Sequence, residues 1–382
     1  MDNKVFCSAF GISTVCNKIW CSAYDFNEIY EIDILSHKMR SLGQLEGEDN
    51  TCHLVESIEC CLDTVLFVPG YNGKYFHVLD INTGKQTKFL KTKFFDEIGP
   101  NHINRFLSFI WNNKAYIVCR DELSVYCYNL KKKDFEMVFD YDKKNSFKCM
   151  AFSVWKDFVA FLSIRLNEIV LYDLSKNTMK QIKLTREMTG VNRIAITEDR
   201  IFLYRVEDRK VYLLDKKGTL KKEFLISTQT GNRIMMFPAR ESVYLVAITD
   251  WEKEVFKIDT NGNVENLHLN NMDDLNVYFL NRIDDDLYAY EFVARTKNIV
   301  SLCYNVGKCY KYKIGTNAVE LIEWSTDEVK YENKIINMLK EGICLFENDV
   351  YNLEFMFKHI NVQKDKENSE NINVGENIFC RV

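Results

Sequence analysis

The chain has 382 residues, 47% hydrophobic and 27% charged, enough for a large core and unlike a disordered or fibrous sequence. A net charge of −5 argues against a general nucleic-acid surface, and no run reaches the roughly 18 apolar residues of a membrane helix. Aromatics at 13% with only 3 Pro favour strands.

From the N-terminus, MDNKVFCSAFGISTV carries one Lys and no long apolar core, so no secretory signal is expected. The 13 Cys are odd in number and scattered through apolar segments. They read as reduced, buried thiols, and the expected compartment is the cytoplasm.

One hairpin shape then recurs along the chain. IYEIDILSHKMRSL ends its first strand at Asp33, FHVLDINTGKQTKF at Asp80 and VYCYNLKKKDFEMV at Asn129. VLYDLSKNTMKQI gives Asp173, VYLLDKKGTLKKEF Asp215, VFKIDTNGNVENL Asp259 and VSLCYNVGKCYKY Cys303. The spacings run from 42 to 49 residues. Asp or Asn at the strand end can hydrogen-bond the turn backbone, while Gly84, Gly218, Gly262 and Gly307 tolerate positive φ. Two further strands precede each hairpin, most clearly in 105–118, 149–162 and 193–204. Four strands per unit of about 40–50 residues form one supersecondary repeat that cannot bury both faces alone.

This pattern resembles the β-propeller repeat class over about 320 residues. The Gly-His…Trp-Asp signature of WD40 repeats and the Gly-Gly pair of Kelch repeats are absent. The resemblance implies an all-β, seven-bladed propeller of four-stranded antiparallel blades over 4–325. Its innermost strands would line a channel with ligands at the mouth. It names no functional family, and a fold does not give a function. In the seventh unit the third strand is either IVSLCY or KCYKYKI, with AVELIEW left over. Beyond Trp324, Leu353, Met356, Phe357 and Ile360 follow helical spacing, so 326–360 is expected to be a helical extension and 361–382 a polar, partly disordered tail. The rival reading makes IINMLKEGICLFENDVYNL an eighth blade.

Nucleotide loops, the Gly-x-Ser-x-Gly elbow and the His-Glu-x-x-His zinc motif are missing. Cys52, His53, Cys60 and Cys61 lie close in sequence, but neighbours in a strand point to opposite faces, so buried thiols fit better than zinc. Asp284, Asp285 and Asp286 read as a tight turn. Trp111 and Trp155 recur at matching positions and read as packing between blades. No cofactor or metal is expected.

One register-dependent pattern points to function. The innermost strands begin CHLV, NRFL, FKCM, NRIA and NRIM, placing His53, Arg105, Lys148, Arg193 and Arg233 at equivalent positions in five successive blades. Loops opening on the same side carry Arg120, Arg165, Arg205 and Arg295, with Tyr71 and Trp251 among the aromatics. Guanidinium forks suit carboxylate and phosphate. The same Arg could equally be ordinary surface residues, or tie neighbouring blades together.

The expected function is a non-catalytic binding propeller, monomeric within a larger assembly. Its partner would be an anionic small molecule or an acidic protein segment, with no membrane. The alternatives are an enzyme on an acidic sugar or phosphorylated metabolite, with His53 or His102 as base, and a scaffold docking through blade sides or C-terminal helices.

Overall fold

The computed structural model describes residues 6–24, 26–51, 53–91, 106–120, 123–141, 148–163, 165–226, 233–248, 253–267, 277–283, 286–294, 302–313, 316 and 318–324. They fall in two compact units, one drawn from 1–97, 290–309 and 321–382, the other from 98–289 and 310–320. No helix among the described residues is long and apolar enough to cross a membrane. The proposed helical extension, the tail and the eighth-blade segment lie outside the described residues.

The fold is a β-propeller. In the first unit, β1 (Phe6–Ser13), β2 (Lys18–Ala23), β3 (Ile29–Asp33) and β4 (Lys38–Gly43) form blade one. Blade two is β5 (Val55–Cys60), β6 (Thr64–Pro69), β7 (Tyr75–Asp80) and β8 (Gln86–Leu90). In the second unit, blade three is β9 (Phe106–Trp111), β10 (Lys114–Cys119), β11 (Ser124–Asn129) and β12 (Asp134–Asp140). Blade four is β13 (Cys149–Trp155), β14 (Phe158–Ser163), β15 (Glu168–Asp173) and β16 (Thr178–Lys183). Blade five is β17 (Arg193–Ile196), β18 (Arg200–Arg205), β19 (Lys210–Asp215) and β20 (Leu220–Leu225). Blade six is β21 (Arg233–Pro238), β22 (Ser242–Ile248), β23 (Lys253–Asp259) and β24 (Val264–Leu267). The last four strands are β25 (Val277–Ile283), β26 (Asp286–Ala294), β27 (Leu302–Lys313) and β28 (Ala318–Glu323).

These last strands differ from the sequence expectation in one respect. The chain does not turn after Cys303; the described parts of both candidate third strands, 302–304 and 308–313, belong to the single twelve-residue β27. AVELIE, left over in the sequence, is β28 and pairs with β27. The start of β27 also pairs with β1, Phe6 opposite Asn305 and Cys7 opposite Tyr304. A strand with three partners outweighs the local turn preference of Asn305 and Gly307.

The six earlier hairpins turn for the expected reason. Asp33 Oδ1 accepts the amides of Leu35 (3.0 Å) and Ser36 (2.8 Å), and Asp80 those of Asn82 and Thr83 (both 3.0 Å). Asn129 and Asp173 accept the amides two and three residues on in the same way, and Asp215 and Asp259 those two and four residues on. The Ser36 amide holds the Asp33 carboxyl below its ordinary range, and the Lys221 ammonium, with the Thr219 amide, does so for Asp215. Each turn also has one residue at positive φ: His37, Gly84, Lys133, Asn177, Gly218 and Gly262.

Alternation within strands builds the seams between blades. In blade five, Phe202, Tyr204, Val211 and Leu213 pack toward blade six. Their neighbours Ile201, Leu203, Tyr212 and Leu214 pack toward blade four. A strand sandwiched between two blades therefore buries both faces; β15 is buried throughout, while the outermost β16 is buried only at Ile182. Charged side chains on such outer strands discourage edge pairing. Trp111 packs in the seam of blades three and four, and Trp155 holds the equivalent place in the next seam. Polar bridges run across the same seams: Trp111 Nε1 donates to Asp157 Oδ1 (3.1 Å), Lys180 Nζ to the Lys216 carbonyl (3.0 Å) and Lys222 Nζ to the Gly262 carbonyl (3.0 Å).

Candidate functional site

The innermost strands β13, β17 and β21 of the second unit approach one another, and their first residues share one end of the blades. Lys148 immediately precedes β13, whose first residue, Cys149, pairs with Ser163 at the end of β14. Arg165 follows two residues later. One hairpin end thus carries two cations. Both are exposed, and neither has a hydrogen bond or ion pair among the described residues.

Their backbone is pinned. The Cys149 amide donates to the Arg120 carbonyl (2.7 Å). The turn bearing Arg165 is held by Leu166 N–H to Ser163 Oγ (3.3 Å) and by Asn167 Nδ2 to the carbonyls of Leu184 and Thr185 (3.2 Å each). Asn167 has φ 48°, a conformation Asn tolerates well, and Leu166 packs into the adjacent seam.

Arg120 and Arg193 reach the same end but point into the seams. Arg120 Nε and Nη2 donate to the carbonyls of Cys149 (2.8 Å) and Met150 (3.2 Å) in the next blade. Burial pushes the Cys149 thiol up to about 12, although Arg120 acts in the opposite direction. Arg193 Nε donates to the Ile234 carbonyl of blade six (2.6 Å) and Nη1 to the Asn192 carbonyl (2.8 Å). These guanidinium groups latch one blade to the next.

Arg205 is held differently. It makes a fork with Asp208 (2.8 and 2.5 Å), donates to the carbonyls of Glu187 and Thr189, and lies over the Tyr212 ring at 5.3 Å. The Asp208 carboxyl is held below its ordinary range by this fork. Of Arg233 only the backbone is described, as the first residue of β21.

In the first unit, His53 has φ 52° and stacks on Tyr24 at 5.6 Å, its Nε2 3.0 Å from Glu56 Oε2. Tyr71 stands 61% exposed on the loop after β6. That loop is packed closely on the chain beside it: a Cβ at Gly70 would lie 2.5 Å from the His53 carbonyl oxygen. Arg105, His102, Trp251 and Arg295 lie outside the described residues.

Three buried polar arrangements were not singled out from sequence. Glu48 and His77, each 1% exposed, are 3.2 Å apart, and Glu48 also accepts the amides of Lys74 and Tyr75. Tyr141 O–H donates to the buried Glu168 (2.7 Å). Lys216, in the turn after β19, places its Nζ in the seam of blades four and five. Each lies within an otherwise ordinary loop or strand, so local sequence carries no signal for it. No disulfide joins the cysteines with described side chains, and no group of three or more His, Cys, Asp or Glu could hold a metal ion among the described residues.

No family model matches the chain, and no curated protein matches it. Solved structures do resemble it. Virginiamycin B lyase from Staphylococcus aureus aligns with 13% identity and a TM-score of 0.52, over 75% of this chain and 92% of that one. YCF48 bound to D1 peptide aligns with 9% identity and a TM-score of 0.52, over 85% and 93%. The dihydro-heme d1 dehydrogenase NirN, in complex with DHE, aligns with 10% identity and a TM-score of 0.51, over 84% and 67%. At these identities the likeness establishes the fold, a β-propeller, and nothing narrower.

Proposed function

We propose that the chain is a non-catalytic binding propeller that takes an anionic small molecule or an acidic segment of a partner protein at the end of blade four. The observation that carries this reading is the pair Lys148 and Arg165. They project from one pinned hairpin end, exposed and without an ion-pair partner among the described residues. A prepositioned pair of cations attracts an anion without first having to break a salt bridge. The latching bonds of Arg120 and Arg193 support the reading by fixing the frame around this end. Similar folds occur in a lyase and in a protein bound to a peptide, so the choice between catalysis and binding rests on this chain's own residues.

The test is a thermal-shift panel at low salt with phosphate, nucleotides, uronic and sialic acids, sulfated sugars, acidic peptides and neutral counterparts. A ligand of the native state raises the melting temperature by mass action. One anion class is expected to shift it, and the K148E/R165E double variant is expected to weaken that binding by about tenfold or more. A shift retained in full by the double variant, or no shift with any anion, overturns the reading.

A further inference from the structure

The end of blade four that bears Lys148 and Arg165 carries two further exposed cations. Lys183 closes β16, and Arg186 follows it on the short turn Arg186–Met188. None of the four side chains has a hydrogen bond or ion pair among the described residues. The two additions are also rooted in fixed backbone. Lys183 sits between the buried Ile182 and Leu184, which pack in the seam with blade five, and the Leu184 amide donates to the Asn167 carbonyl (2.9 Å). Buried Met188 anchors the turn of Arg186 in the same seam.

The ladder sets their order and span. Cys149 lies opposite Ser163, Ser163 opposite Glu168, and Glu168 opposite Lys183, so one line of paired residues crosses the whole blade at this end. Neighbouring strands are about 4.8 Å apart, which puts Lys183 roughly 14 Å outward from the strand that Lys148 precedes. Arg165 lies on the connection between, two residues beyond Ser163. Among the described residues of blade four, this end holds two carboxylates. Glu168 is buried and accepts the Tyr141 hydroxyl (2.7 Å). Glu187 is exposed beside Arg186, and the Thr185 hydroxyl is the first cause holding its carboxyl below the ordinary range. The neighbouring blades lack the row. The place of Lys183 is taken by Asp140 in blade three and by Leu225 in blade five. The row is therefore not something the repeat requires.

A row of this length selects its ligand. A single phosphate or carboxylate is too small to meet cations spread over that distance. In an extended peptide alternate side chains share a face and recur about every 6.7 Å, so acidic residues at i, i+2 and i+4 span about 13 Å. A nucleic-acid strand is also an extended polyanion, but single strands bind through stacking surfaces, and Tyr71 of the first unit is the one exposed aromatic side chain among the described residues. The chain's net charge of −5 further opposes a general polyanion. We propose that this end of blade four is a docking track for an extended acidic segment of a partner protein, its alternate carboxylates lying along Lys148, Arg165, Lys183 and Arg186. This docking role rests on the binding role of Lys148 and Arg165 and adds the chemistry of the partner. The guanidinium forks take carboxylates in pairs, and the lysines act as point charges. Glu187 weakens the attraction of Arg186, so the inner three cations are the main contacts.

The test uses the full chain and labelled peptides, read by fluorescence anisotropy at low salt. A peptide of about nine residues alternating Glu and Ser is expected to bind, and its Gln-for-Glu version is not. Shortening it to a single pair of Glu should weaken binding about tenfold or more. K183E/R186E leaves Lys148 and Arg165 intact; it is expected to weaken the long peptide about tenfold and to leave the short peptide and inorganic phosphate within about twofold. K148E/R165E should weaken every probe. Calorimetry should find both variants within about 1 °C of wild type, because the altered side chains are exposed. A long peptide that K183E/R186E leaves unchanged, while K148E/R165E still weakens it, overturns the track and leaves the smaller site of Lys148 and Arg165 standing. If no acidic probe binds, or K148E/R165E changes none, both fall. An oligothymidylate of equal charge that binds more tightly, and is lost in the same variants, overturns the choice of a protein partner.

Discussion

Replacing Arg193 by Met separates a latch from a ligand site. Arg193 makes two described bonds to carbonyls, one of them across the seam to blade six. A buried charged donor contributes roughly 1.5–3 kcal/mol per bond, and partial exposure reduces this to about 1 kcal/mol each, so R193M is expected to cost about 2 kcal/mol. Unfolding entropy is about 2.1 cal/mol/K per residue, or roughly 0.55 kcal/mol/K for the about 260 described residues, so the melting temperature should fall by about 4 °C. The control is K148M/R165M, which removes exposed charges and should move it by less than about 1 °C. Differential scanning calorimetry of the three proteins reads both numbers. R193K should recover less than half of the loss, because an ammonium cannot reproduce the fork. An R193M protein as stable as the wild type, or a control that loses as much as R193M, would refute the division of this end into latching and free cations.

Other outcomes follow from single residues. Lys133 occupies the positive-φ place of its hairpin at 51°, where blades five and six use Gly, so K133G should stabilise by about 0.5 kcal/mol and shift the urea midpoint upward. Lys216 is depressed from 10.5 to about 8, so the unfolded chain binds more protons between those values and stability rises with pH across that window. K216M should therefore be more stable than wild type by about 1 kcal/mol at pH 7, after discounting for partial exposure, with the gap narrowing above pH 8 and closing only above the unfolded value of 10.5 in urea titrations. The Cys149 thiol, raised to about 12, should resist thiol reagents at pH 8 in the native protein and react once it is unfolded.

The blades were legible in the sequence because their causes are local. An Asp that bonds amides two and three residues ahead writes its turn into four adjacent positions, and strand alternation reports the two seams directly. Cys303 misled for the opposite reason: Asn305 and Gly307 look like turn residues, but β27 is held straight by partners far away in the chain. The basic positions were legible as positions only. Nothing local distinguishes Arg193, whose acceptor lies 41 residues on, from Arg165, which has no partner among the described residues. Lys216 looks like one more turn lysine until blade four supplies the Phe158 ring beneath its ammonium.

Repetition supplies an internal control for function. A feature shared by the blades, such as the strand-end Asp or Asn or the positive-φ turn residue, is what each blade needs in order to turn and pack on the next, and selection for the fold accounts for it. A feature in one blade only has no such account. Trp111 and Trp155 hold equivalent places, yet the first donates to Asp157 while the second has no acceptor among the described residues. Latching Arg120 and Arg193 serve their seams, while Lys148 and Arg165 make no such bond among the described residues. Both departures fall in blade four, at its two opposite ends. Function in this chain is therefore sought in blade four, where the repeat is broken.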